Sequence, residues 1–158
     1  MNRSDRRFLE KLKSETRWAE TEAATHRSML RWHVMVADFI REVVRSHGID
    51  PGRVRCLELG DKAAAELAAI PDTPELLSAD DERLEAAEDD ERDDGDDPRP
   101  ALAAEHRRVI EYWLDRGGAP DFERDSALSV LGWCLAQHCA AAKARKAGGV
   151  AAADASAS

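Results

Sequence analysis

The sequence predicts an all-α protein: a helical bundle with one long N-terminal helix and a C-terminal αα-hairpin, joined through an acidic flexible segment. Three observations lead there. From Met1 to His47 there is no glycine and no proline. Across that stretch apolar or small residues recur at alternating steps of three and four, the period of an amphipathic helix. A second periodic stretch lies between Ala101 and Ala147, divided by the pair Gly117-Gly118.

The seam of the first helix is Leu9, Leu12, Thr16, Ala19, Ala23, His26, Leu30, His33, Ala37, Ile40 and Val44, a heptad spacing that favours coiled-coil packing. Met29, Trp32, Val36, Phe39 and Val43 flank its second half and widen the apolar arc beyond what a two-stranded zipper uses. In the first half Glu15 and Glu22 occupy that flank, so on a straight helix the two apolar faces do not line up. Either the helix supercoils left-handedly or it breaks between Glu22 and Thr25. Ser4 is a suitable N-cap and Gly48 a suitable stop. Unbroken, the rod is about 65 Å long at 1.5 Å per residue. His26 and His33 stand one heptad apart on the seam, so if either is buried neutral, protonation near about pH 6 loosens the packing.

Ile49-Asp50-Pro51-Gly52 is turn chemistry. Val54 to Leu59 alternates as a strand would, but with no partner strand evident a helical or irregular run is an equal reading. The alanines from Asp61 to Ile70 favour helix, and Pro71 ends it.

Residues 80–97 carry 12 acids against Arg83 and Arg92, a local charge of -10; the chain total is -9, so everything else sums to +1. Leu84 is the block's one sizeable apolar group, too little burial to offset the entropy of ordering it. A solvated linker is the expected role, and Pro98 and Pro100 extend it as a tether. A sharper alternative is an inhibitor in which the carboxylates stand in for the phosphates of a nucleic acid.

Leu102, His106, Val109, Ile110, Trp113 and Leu114 form the inner face of a helix predicted from Ala101 to Arg116. Gly117-Gly118 closes it, Pro120 prevents continuation, and Asp125 or Ser126 caps a final helix. That helix is apolar on nearly all sides from Leu128 to Cys139, which places it centrally. The domain reading is therefore 1–78 for the N-terminal helix and a short helical or irregular region, 79–100 for the acidic linker, 101–147 for the hairpin, and 148–158 for a disordered alanine and serine tail.

The chemistry-bearing motifs are few. No HExxH, CxxC, P-loop or GxGxxG occurs, which removes the commonest signatures of zinc hydrolases, dithiol redox proteins and nucleotide binders. Cys134 and His138, one helical turn apart, are the best metal candidates, but two ligands do not make a site and packing is the expected role of both. Arg3, Arg6, Arg7, Lys11, Lys13 and Arg17 form a basic end able to touch phosphates, although Asp5, Glu10 and Glu15 are interleaved with them. The charged start lacks an apolar leader and the longest apolar run is about half a bilayer's thickness, so the expected setting is cytoplasmic, without membrane; three cysteines, an odd number, agree.

These readings converge on a non-enzymatic interaction or assembly subunit that requires no cofactor. Its partner would be a second copy or a larger complex, met through the Met29, Trp32, Val36, Phe39, Val43 stripe. The second reading is a small helical subunit of a nucleoprotein complex contacting nucleic-acid backbone; the third is the acidic inhibitor.

Overall fold

A computed structural model describes residues 3–21, 26–74 and 97–157. Among these, every regular element is helical: α1 (Arg3–Thr21), α2 (His26–Ser46), α3 (Leu57–Ala69), α4 (Ala104–Arg116) and α5 (Ala127–Ala157), with 3₁₀ turns at Pro51–Arg53 and Arg99–Ala101. The acidic block, at 80–96, lies outside the described residues.

The predicted single N-terminal rod is two helices. Phe8 of α1 stacks on Phe39 of α2 with ring centroids 3.8 Å apart. On a straight helix those residues would stand about 46 Å apart. Of the two ways to reconcile the misaligned apolar faces, the chain uses the break: α1 folds back and lays Phe8, Leu9 and Leu12 onto the core. The residues between the helices, 22–25, are outside the description. The fold-back also removes His26 from any buried seam, since its side chain is 74% exposed and sits 3.6 Å from Glu66.

α2 ends as its sequence requires. Gly48 takes φ 75°, freely available only without a Cβ, and lets Ile49 N–H reach back to Val44 O at 2.9 Å and Gly48 N–H to Arg45 O at 3.0 Å. Asp50 then accepts from Gly52 N–H at 3.0 Å and caps the 3₁₀ turn begun by Pro51. The stretch after it resolves to the helical alternative: only Val54 is extended, and α3 begins at Leu57. A lone strand would have left its ladder groups unpaired. Instead Arg55 N–H donates to Phe122 O at 2.8 Å, tying this turn to the connection between α4 and α5.

Two glycines set the closest helix approaches. A Cβ on Gly60 would lie 2.2 Å from the Ala37 Cβ, so α3 rests almost backbone to backbone on α2. A Cβ on Gly132 would lie 2.1 Å from Val109 Cγ1, which seats α4 on α5. α4 starts at Ala104 rather than Ala101, because Arg99–Ala101 form a 3₁₀ turn that delivers buried Leu102 to the core ahead of the helix. Leu114, expected on the inner face, is exposed; it follows Trp113 by about 100° around the helix, past the arc that α5 covers.

Ser126 caps α5, accepting from Ser129 N–H at 3.3 Å. Val130, Leu131, Trp133, Cys134 and Leu135 are all buried, as the all-round apolar pattern of this helix anticipates. Where a frayed tail from Gly148 was expected, α5 runs on to Ala157; the alanines on both sides of Gly148-Gly149 offset the low helix propensity of the glycines.

The Ala37–Gly60 approach reverses an ordinary expectation. Gly to Ala inside a helix normally gains about 0.5–1 kcal/mol, but Gly60→Ala meets a rigid methyl and costs about 1–3 kcal/mol. Urea unfolding measures it, and adding Ala37→Gly in the same chain recovers part of the loss.

Candidate interaction surface

The five-residue stripe on α2 does not face one environment. Val36, Phe39 and Val43 are buried inside this chain. Phe39 is the most enclosed of them, lying between Phe8 at 3.8 Å and the His138 ring at 5.3 Å. These three side chains thus serve the internal core rather than an outward face. Trp32 is half-buried, its ring parallel to that of His106 on α4 at 5.8 Å and edge-on to His33 at 5.2 Å. Met29, at the N-terminal end of the row, is 51% exposed. The row therefore passes from open to sealed along α2.

Beside Met29 lies a feature that no sequence pattern signals. Arg27 keeps only 15% of its side chain exposed, and its Nη2 donates to Asp72 Oδ1 at 3.0 Å, joining the start of α2 to the residues just after α3. The two partners stand 45 residues apart, beyond the reach of any local spacing rule. Tyr112 and Arg116 meet at i,i+4 spacing on α4. Arg116 Nη1 donates to the Tyr112 hydroxyl, while its guanidinium lies 5.5 Å from the Tyr112 ring centre and 5.4 Å from that of Trp113. Tyr112 and Leu59 are exposed apolar groups on two further helices.

The two weak metal candidates have other duties. Cys134 is wholly enclosed and His138 stacks on Phe39. Among the described residues no three of His, Cys, Asp and Glu gather in a way that could hold a metal ion. All three thiols are buried, and burial pushes each pKa up: Cys56 and Cys139 from 9.0 to about 11, Cys134 further still. At neutral pH they are protonated packing groups, because the reactive form is the thiolate.

The basic end is sorted in space as it is not in sequence. Arg3, Arg6, Arg7, Lys11 and Arg17 are exposed on α1, whereas Lys13 is half-buried. Of the interleaved acids, Asp5 and Glu15 are half-buried, and Glu10 is the exposed one, 3.8 Å from Arg6. No described helix is long and apolar enough to cross a membrane.

No protein-family model, curated protein or solved structure matches the chain.

The buried thiols give a pH dependence of definite sign. Their folded pKa values lie above the ordinary 9.0, so their contribution to stability is complete below about pH 9 and is lost as pH rises through about 11. The melting temperature therefore falls across that interval, and less so in Cys56→Ala or Cys139→Ala than in the wild type once each variant's neutral-pH offset is subtracted. At pH 7.5 a thiol-reactive reagent leaves all 3 cysteines of the native chain unmodified and labels all of them after denaturation.

Proposed function

We propose that this protein acts without catalysing a reaction, as a helical interaction and assembly subunit in a homo-oligomer or larger complex. The observation that carries this reading is the open end of the α2 row: Met29 is half-exposed at the head of a line whose later members are sealed inside the chain. A flexible thioether beside a partly covered indole is an adaptable apolar contact, the kind of group that gains most from being covered by another helix.

The far end of α5 supports the same reading. Among the described side chains Cys139 is the last buried one, and the helix continues to Ala157, roughly another 27 Å at 1.5 Å per residue. Each described side chain beyond Cys139 is exposed. An isolated helix of that length is marginal in water, so an extension of this kind is best stabilised by a neighbour outside the chain. The arrangement as a bundle, with α4 and α5 forming an antiparallel hairpin against α2, is part of the same proposal. It makes the packed core a scaffold that holds the open α2 row and the α5 extension in fixed relation.

A second copy is the simplest partner, since closed symmetric pairing lets one surface serve both sides. Light scattering then gives a solution mass that is a multiple of 17.4 kDa. Met29→Glu returns the mass to that of one chain without lowering the melting temperature, because the side chain is outside the core. A wild-type chain that stays single at high concentration removes the self-association form of the proposal.

A further inference from the structure

We propose that the outer face of α1 binds the phosphate backbone of a nucleic acid, through a row formed by Arg3, Arg7 and Lys11. These residues are spaced i, i+4, i+8, so they lie along one side of the helix with a rise of about 6 Å between neighbours. All three are exposed, and among the described residues none of them meets a carboxylate. Arg6 and Arg17 are exposed nearby; Arg6 already has Glu10 at 3.8 Å.

The row is electrostatically unfavourable for the helix that carries it. Like charges four residues apart repel. The start of a helix, where Arg3 and Arg7 sit, carries the positive end of the backbone dipole and favours anions over cations. Both penalties are relieved when an anion is placed against the row. Fold stability gives no reason to leave these three charges uncompensated while Asp5 and Glu15 are half-buried and already engaged by other groups.

The chemistry of the face selects among polyanions. Two of its three charges are guanidinium groups, which take two phosphate oxygens at once and shed water more readily than an ammonium. A duplex presents a negative charge about every 1.7 Å of its axis, so a row about 12 Å long meets several phosphates in any register. An anionic membrane fits less well. Binding at a lipid surface needs an apolar side to insert, and that side of α1, Phe8, Leu9 and Leu12, is buried within this chain. Binding through phosphate alone is blind to sequence. The face lies on a different helix from the Met29 row, and its occupation does not depend on self-association.

The test uses the full chain and a fluorescently labelled duplex of arbitrary sequence, read by anisotropy between about 50 and 200 mM salt. The expected result is binding at the low-salt end that weakens steeply as salt rises and is indifferent to sequence. The triple variant Arg3→Glu, Arg7→Glu, Lys11→Glu binds at least about tenfold more weakly, and its salt slope shrinks by roughly one for each phosphate no longer neutralised. Arg108→Glu, an exposed cation on α4, leaves binding unchanged. If the triple variant melts at a lower temperature, Arg7→Glu and Lys11→Glu are read singly, each expected to weaken binding by about threefold. Removal of residues 80–96 preserves or strengthens binding, because it takes away competing carboxylates. Failure of the full chain to bind the duplex at low salt, equal binding by the variants, or capture by phosphatidylserine vesicles in place of the duplex overturns the proposal.

Discussion

Phe39 sits where three helices meet, and the rest of the arrangement depends on that junction. Phe8 covers one side of its ring from α1 and His138 approaches from α5. Because Phe8 comes from a segment that a continuous rod would carry far away, the stack requires α1 to double back. Doubling back then turns the other side of α1 outward, and that side is where its cations are. One aromatic contact thus decides both how the core closes and which charges face water. α3 reaches α2 by a different means, through the missing side chain of Gly60 against Ala37, so α2 is enclosed by contacts of two kinds: large flat rings on one side and bare backbone on the other.

Helical character was legible from periodicity because α2, α4 and α5 each hide a definite face. Val36, Phe39, Val43, Ile110 and Trp113 could be marked as apolar-face residues from spacing alone, and all are buried. What spacing could not convey was whose surface would cover them. A stripe suited to another chain and a stripe covered by the same chain have one sequence pattern. The difference lies in whether the chain reverses between Thr21 and His26, a stretch whose composition is compatible with a continuing helix. Mismatch of the two faces, with Glu15 and Glu22 on the wrong flank, was the sole local clue, and it left two outcomes open.

The same limitation explains the charged surface. Read along the chain, six cations and three anions alternate and dilute one another. On the folded helix the buried face fixes the rotation, and rotation separates them: Asp5 and Glu15 are half-buried and the arginines exposed. Arg27 is the opposite case, a cation drawn inward by an acid remote in sequence. Summing charge by segment therefore described the chain's balance correctly but not its geometry. Cys134 and Cys139 are buried within a run that is apolar on nearly every side, a burial that the all-round pattern of the helix already implies.

Trp133 carries a consequence of another kind. Its indole N–H donates to the Gly118 carbonyl at 2.8 Å while its ring is packed against Phe122 and His47. The loop after α4 is thereby riveted to a side chain rooted in the interior. Pulling that loop outward drags the indole with it, so opening there is coupled to disruption of the centre. A protease that needs several residues of slack at Gly117-Gly118 must first break these contacts, so cutting there is slower than the exposure of the loop alone would give.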